Sequence, residues 1–363
     1  MGSRADLKWN ASRRGAQQLA EQLLAWYDAN RRDLPWRHTA DPYCIWVSEI
    51  MLQQTRVAVV IERYTSFLEH FPTLADLARG SEPEVLALWS GLGYYRRARM
   101  LHQAARFVAA NLHGKMPASS AELRKLPGIG AYTAAAIASI AHGERIAVVD
   151  GNVERVVCRL VGLDASATSA TLLRREIDAL ANRLILPQRP GDFNQAMMEL
   201  GATVCLPRNP QCLACPIASH CSTRGEHPTI PRPRMQTRTI AHALCVREGK
   251  SGRKVLLEQR RATETVMPGM WELPHLANAD GPADRLRMTV RHAIMQVNYS
   301  VHIQSLSEGE VAAAAPARGR RRWTALRELS STPLTGLARK VLTRSHLLAP
   351  RAERRKQPGA PAL

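Results

Sequence analysis

Four cysteines crowd into seventeen residues of this chain, at Cys205, Cys212, Cys215 and Cys221, with the spacing C-x6-C-x2-C-x5-C. Thiols this close, in a chain whose first residues (Met1 to Asn10) carry no apolar leader, read as a ligand set rather than as disulfides. Four ligands from one short segment oblige that segment to wrap around a common centre. The spacing alone admits either tetrahedral zinc or a [4Fe–4S] cluster, since both accept four thiolates. The other three cysteines, Cys44, Cys158 and Cys245, are scattered and read as small buried hydrophobes.

A length of 363 residues suffices for two domains, each with its own core. Fifty Lys and Arg against 31 Asp and Glu give a formal charge of +19, which predicts a polyanionic partner, nucleic acid before an anionic membrane. No apolar run approaches the ~18 residues of a spanning helix, and no cationic amphipathic stretch dominates. A reducing, cytoplasmic and nucleoid-associated setting is expected.

From about Gly15 to Cys221 the apolar residues recur at helical spacing, as in Leu19-Leu23-Leu24-Tyr27 and Val85-Leu86-Leu88-Trp89. Breaks at Asp33-Leu34-Pro35, Phe71-Pro72, Gly91-Leu92-Gly93 and Met116-Pro117 divide the region into short helices. The expected organisation is a mainly α region over 1–222, a basic Pro-rich linker over 223–238, an α+β domain over 239–347 and a disordered basic tail over 348–363. Strands are predicted at Ile240 to Val246, Val255 to Gln259 and Tyr299 to Ile303, with helices near Asp284 to Ile294 and Leu334 to Leu348.

Leu126-Pro127-Gly128-Ile129-Gly130 separates two helical segments. Ser119 is placed to cap the first, with Glu122 completing a capping box, and Ala131 to Ala141 forms the second. Glycines at 128 and 130 permit a tight hairpin whose backbone N–H groups can receive a phosphate. Alone, such a turn is more often a plain helix–helix connection.

The order Leu126-Pro-Gly-Ile-Gly130, Asp150 and the cysteine array resembles the helix-hairpin-helix superfamily of base-excision DNA glycosylases. The closer local matches are to MutY-type adenine DNA glycosylases: Leu34-Pro35-Trp36-Arg37, Trp46 through Thr55, Gly91-Leu92-Gly93-Tyr94-Tyr95 and Gly130-Ala131-Tyr132-Thr133. The similarity runs from about residue 19 to 222, and more loosely to about 345. It implies a six-helix barrel plus an iron–sulfur domain, followed by a Nudix-like C-terminal domain. It also implies a [4Fe–4S] cluster on the four cysteines, a monomer, and a partner of double-stranded DNA carrying adenine opposite 8-oxoguanine or guanine.

Cleaving an N-glycosidic bond needs a proton for the leaving base and negative charge beside an oxocarbenium-like sugar. The resemblance gives these roles to Glu49 and Asp150. Glu49 lies among Ile45, Trp46, Ile50 and Leu52, where desolvation would keep it protonated; the bland alternative is a solvated helix glutamate. Asp150 also stands where a helix N-cap is expected, and both roles are compatible. Asn152 would orient it. Tyr132 occupies the place of the lysine that lyase-linked relatives use to form a Schiff base, so a monofunctional glycosylase is implied. Gln53, Gln54 and Tyr94 match positions that enter or border DNA, and Trp36 and Arg37 border the flipped-base pocket. Leu126, Gly128 and Gly130 would contact DNA from the hairpin, and Arg96, Arg97 and Arg99 read as phosphate contacts or a solvated basic face.

Val255 to Arg260 and Met267 to Pro274 resemble the Nudix-like domain. No glutamate occurs from Pro274 to Gln296, so magnesium-dependent nucleotide hydrolysis is not expected and a recognition module is. The family reads 8-oxoguanine with a Phe-Ser-His-type loop; here Met295 and Gln296 replace the serine and histidine. Gln296 keeps a donor and an acceptor, and His292 offers an alternative reader. Two competing readings remain, a pyrimidine-damage glycosylase with lyase activity and a non-catalytic DNA-binding module.

Overall fold

Several helix boundaries in the N-terminal part follow cap chemistry. The computed structural model describes residues 13–163, 169–226, 235–249, 252–278, 285–294 and 296–349. Eleven helices occur among the described residues before Cys205: α1 (Arg13–Asn30), α2 (Pro42–Leu52), α3 (Val57–His70), α4 (Leu74–Arg79), α5 (Glu82–Trp89), α6 (Arg96–Asn111), α7 (Ser120–Leu123), α8 (Ala131–His142), α9 (Gly151–Val161), α10 (Ala170–Leu184) and α11 (Pro190–Thr203). Thr73 and Ser81 close full capping boxes with Asp76 and Glu84, which start α4 and α5. Glycines at 143 and 162, with φ of 70° and 68°, end α8 and α9 in the left-handed conformation that L side chains avoid. The capping box expected at Ser119 forms only half. Ser119 accepts from Glu122 N, but the Glu122 carboxylate turns to Lys125 Nζ at 2.6 Å because an ammonium is the stronger partner. No helix among the described residues is long and apolar enough to cross a membrane.

Contacts divide the chain into two units, Met1–Gly80 with Arg99–Arg232, and Ser81–Ala98 with Pro233–Leu363. The first has helices and no strand among its described residues, with a core in which Leu19, Leu23 and Tyr27 of α1 meet Val153 and Val157 of α9 and Phe193 and Leu200 of α11. Each such side chain, fully buried, contributes roughly 1.5–3 kcal/mol.

The second unit is α+β. One sheet has the order β1-β6-β5, with β1 (Gln236–Leu244) parallel and β5 (Leu286–Ile294) antiparallel to the central β6 (Val297–Ser305). In the other, β3 (Lys254–Gln259) pairs antiparallel with β2 (Val246–Arg247), β4 (Trp271–Glu272) and β7 (Arg321–Ala325). Helices α12 (Glu308–Ala314) and α13 (Gly336–Arg344) complete it.

The helix expected near Asp284 to Ile294 is instead strand β5. Its residues alternate: Met288, Val290 and His292 turn inward while Arg287, Thr289 and Arg291 face out, which is the period of a strand. Pairing with β6 then satisfies its backbone across a short connection. The expected linker also ends early, since β1 begins at Gln236. Its middle, residues 227–234, lies outside the described residues, as do Met1 to Asn10, Met295 and the tail from Pro350.

Candidate active site and cluster loop

Asp41 starts α2 by accepting Tyr43 N at 2.8 Å, and Pro42 presets the first turn. The helix is apolar on all sides, so it is buried on all sides, with Trp46 and Met51 at 1% and 0% exposure. Glu49 is carried into this interior and is only 5% exposed. Helix α8, rich in alanine, packs closely on α2. Tyr132 in its first turn donates its hydroxyl to Glu49 Oε2 at 2.7 Å and lies 3.5 Å from Met198 Sδ. Burial drives the Glu49 carboxyl up to about 7; the Tyr132 hydrogen bond opposes this, the Asp150 charge adds to it and the Arg37 charge opposes it. Burial and the neighbouring Glu49 push the Tyr132 phenol well above its ordinary value, so it remains a donor.

Asp150 caps α9. Its Oδ1 accepts Asn152 N at 2.9 Å and Val153 N at 2.8 Å, and its Oδ2 accepts Asn152 Nδ2 at 3.1 Å. The segment leading to it is pinned by buried Asn194 of α11. That side chain accepts Val148 N at 3.0 Å and donates to Ser139 Oγ and Ile146 O, both at 2.9 Å. Helix α11 approaches α9 at Gly201, where a Cβ would stand 2.7 Å from Asn152 Cβ.

Glu49, Tyr132, Asp150, Asn152, Trp36, Arg37, Gln53 and Gln54 line one cleft of about 630 Å³ in the first unit. Trp36 is buried edge-on against Tyr64 with centroids 5.5 Å apart. Gln53 Nε2 donates to Thr133 Oγ1 at 3.4 Å. Gln54 is exposed in the left-handed region, φ 56°. The hairpin residues Gly128 and Gly130 are exposed. Gly128 has φ 73°, and a Cβ there would lie 2.6 Å from Met100 Cβ, so glycine is required. Leu126, grouped above with the DNA-contacting residues, is 4% exposed, so its side chain anchors the hairpin in the core.

Three members of the other wall escaped the sequence reading. Glu199 accepts Arg32 Nε at 2.7 Å and Nη2 at 2.6 Å, and Arg37 Nη2 at 2.8 Å. Burial pushes the Glu199 carboxyl up, but the hydrogen bonds from Arg32 and Arg37 outweigh it and leave it near about 2. Gln195 also lines the cleft and accepts the Tyr27 hydroxyl at 3.2 Å. The only sequence signal for Gln195 and Glu199 is the spacing of Gln195, Met198, Glu199 and Ala202 on one face of α11, and Arg32 has none. Glu199→Ala would strand Arg37, whose side chain is 9% exposed, without its carboxylate. The expected loss is about 3 kcal/mol in a urea titration, since the more exposed Arg32 contributes little. Because the folded carboxyl is depressed, the wild-type contribution is present above the ordinary carboxylate value and fades as pH falls towards about 2.

Tyr94, His292 and Gln296 lie in the second unit. Tyr94 is 52% exposed with φ 46°. His292 sits half-buried on β5, its pKa lowered by burial, and Gln296 is exposed in the turn before β6. Arg97, expected to meet phosphate, turns inward and donates Nη2 to Leu92 O at 3.1 Å and Gly93 O at 3.2 Å.

The four cysteines line a second, small cavity of about 30 Å³ together with Arg159, and none is in a disulfide. Arg159, 2% exposed, donates Nη1 to Cys205 Sγ at 3.4 Å and to Leu206 O at 2.6 Å. Four thiols around one space, with a buried guanidinium to offset thiolate charge, fit an iron–sulfur cluster. The loop is stitched to α9, the helix capped by Asp150: Ser222 N donates to Leu160 O at 3.0 Å, and Cys221 Sγ to Arg159 O at 3.3 Å. Arg155, one turn earlier, donates to Cys205 O at 2.9 Å, Gly201 O at 2.7 Å and Asn152 Oδ1 at 2.9 Å.

Residues 47–181 match the HhH-GPD superfamily of base excision DNA repair proteins, and residues 205–221 match the iron–sulfur binding domain of endonuclease III. The chain is 53% identical over 211 residues to the adenine DNA glycosylase of Homo sapiens, covering 56% of this chain and 38% of that protein. It is 45% identical over 205 residues to the adenine DNA glycosylase of Mycolicibacterium smegmatis, covering 56% of this chain and 69% of that protein. Among solved structures, a thermostable thymine-DNA glycosylase superposes with a TM-score of 0.54 at 31% identity, over 59% of this chain and 99% of that one. The chain thus spans less than half the length of the human relative. With the paired carboxylates, the glycine hairpin and the four-thiol loop in the matched segments, the chain belongs to the MutY-type branch of the helix-hairpin-helix, iron–sulfur base-excision glycosylases.

Proposed function

We propose that the protein is a monofunctional DNA glycosylase that hydrolyses the N-glycosidic bond of adenine opposite 8-oxoguanine or guanine in double-stranded DNA and leaves an abasic site. The observation that carries this reading is Glu49, a carboxyl held near about 7 by burial, in one cleft with the hydrogen-bonded Asp150. At neutral pH a large fraction of Glu49 is protonated and able to donate to the departing adenine, after which its carboxylate activates water. Asp150, its orientation held by Asn152 N, Val153 N and Asn152 Nδ2, places negative charge beside the oxocarbenium-like sugar. Tyr132 donates to Glu49 and offers no amine for a Schiff base, which supports base release without strand cleavage. Trp36 and Arg37 border the space for an extruded base, while Gln54 and Tyr94, exposed on left-handed turns, are suited to enter the duplex. Cys205, Cys212, Cys215 and Cys221 would hold the cluster, which cross-links the loop that follows α11. The C-terminal part of the second unit, over about 239–347, serves as a Nudix-like lesion reader through His292 and Gln296.

Single-turnover adenine release from duplexes carrying adenine opposite 8-oxoguanine, guanine, cytosine or thymine tests this. Fast release opposite 8-oxoguanine and slower release opposite guanine, with intact abasic strands, is expected. Equal rates opposite both purines would remove the lesion-reader role, and no release at all would remove the glycosylase reading.

A further inference from the structure

Residues 81–98 lie within the segment matched by the glycosylase family, yet they belong to the second unit together with residues from 233 onward. Their attachment is specific. Ser90 Oγ donates to Leu334 O at 3.1 Å, and Tyr95 Oη donates to the same oxygen at 3.2 Å. Arg339 Nε of α13 donates to Ser90 Oγ at 2.6 Å. Ser90 and Leu334 are fully buried and Tyr95 nearly so. The Leu334 carbonyl is itself fixed, because Trp271 N donates to Pro333 O and Thr335 N to Trp271 O, both at 2.9 Å.

Between these anchors the chain makes a sharp turn. Gly91, Gly93 and Tyr94 have φ of 103°, 69° and 46°. A non-glycine residue in that region is strained and persists only where its surroundings over-determine it. Arg97 supplies part of that constraint: it holds the Leu92 and Gly93 carbonyls, and its guanidinium lies 5.5 Å from the ring centroids of both Trp89 and Tyr94. The product is one exposed aromatic side chain, Tyr94, projecting from a turn whose two ends are tied to a single carbonyl.

We infer that the C-terminal part of the chain, beyond any lesion reading, is the seat of the Tyr94 wedge, with Ser90, Tyr95 and Arg339 as positioning residues that hold the Tyr94 turn ready to enter DNA. The inference rests on the DNA glycosylase reading above. Pre-setting the turn removes the ordering cost that insertion would otherwise carry. Loss of the two donors to Leu334 O therefore acts through Tyr94 rather than on the carboxylates.

The test uses the full chain with its cluster, and Tyr95→Phe and Ser90→Ala, singly and together. Two quantities are read: the fluorescence of 2-aminopurine placed beside the mispair, which changes when an aromatic ring stacks there, and single-turnover adenine release. The double variant is expected to lose the Tyr94-dependent fluorescence change and to slow release on the order of tenfold. Combining it with Tyr94→Ala is expected to add no further loss, because all three substitutions act on one device. Tyr95→Phe removes a single hydroxyl, so it carries the test if Ser90→Ala unfolds. A fluorescence change of wild-type size in the variants, or slowing that multiplies with that of Tyr94→Ala, overturns the inference. So does a wild-type protein whose fluorescence change does not depend on Tyr94. A wild-type protein that shows that dependence but releases no adenine defeats the glycosylase reading and leaves this one standing.

Discussion

Glu49→Gln is expected to bind mispaired duplex about as well as wild type while adenine release falls by at least about a hundredfold, the usual contribution of a positioned general acid. The amide fills the same volume and still accepts the Tyr132 hydroxyl through its oxygen, so the cleft is retained. It has no proton to give. Two pH profiles make the assignment stricter. Wild-type release is expected to decline as pH rises above about 7, approaching tenfold per unit, as the Glu49 acid is consumed. Folding stability carries the second signature. The Glu49 carboxyl is raised from 4.5 to about 7 in the folded state, so its favourable neutral form is fully present below 4.5 and is lost as pH rises to about 7. That costs the wild type roughly 3 kcal/mol, which the glutamine variant does not lose. Urea titrations at pH 5 and pH 8 would read it. Near-normal turnover in the variant, or parallel stability profiles, would show that this carboxyl is not the acid.

Asp150→Asn separates the charge from the helix cap. Asparagine is as good an N-cap as aspartate, so its oxygen can keep Asn152 N and Val153 N, and α9 remains closed. The remaining bond, from Asn152 Nδ2, is lost because two amide NH₂ groups would face each other, a change of about 1 kcal/mol. Release is expected to fall by about 10²–10³, the scale of deleting one preorganised electrostatic partner of a transition state. Thermal unfolding with kinetics on one preparation checks this. A large stability loss with matching activity loss would make Asp150 chiefly a cap, and an unchanged rate would remove it from the chemistry.

Local signals were legible because their causes lie within a few residues. The cysteine spacing, the glycine hairpin, the Asp150 cap and the apolar sequence around Glu49 each express chemistry that a short segment carries with it. Tyr132 could be read as a non-lysine from the sequence, but that its hydroxyl meets Glu49 depends on α8 lying against α2. Gln195 and Glu199 were missed because polar residues on an amphipathic helix look alike until a neighbouring helix turns one face into a cleft wall. Met288, Val290 and His292 were misread as helical because a short apolar pattern fits two periods, and only pairing with β6 selects one. Arg97 and Leu126 read as outward from the sequence and lie inward, since direction is set by what packs above them.

The sequence by itself carried the four-cysteine spacing and the glycine hairpin, which depend on residue type and close spacing, and through the resemblance it marked Glu49 and Asp150 as the candidate pair. Tertiary structure alone decided the extent of the Glu49 burial that raises its proton affinity, the Arg32–Glu199–Arg37 wall and the grouping of residues 81–98 with the C-terminal residues in one unit. Desolvation and ion pairing join groups more than a hundred and fifty residues apart, as Arg32 and Glu199 are. Their strength is set by burial, which exists only once the chain has closed around them.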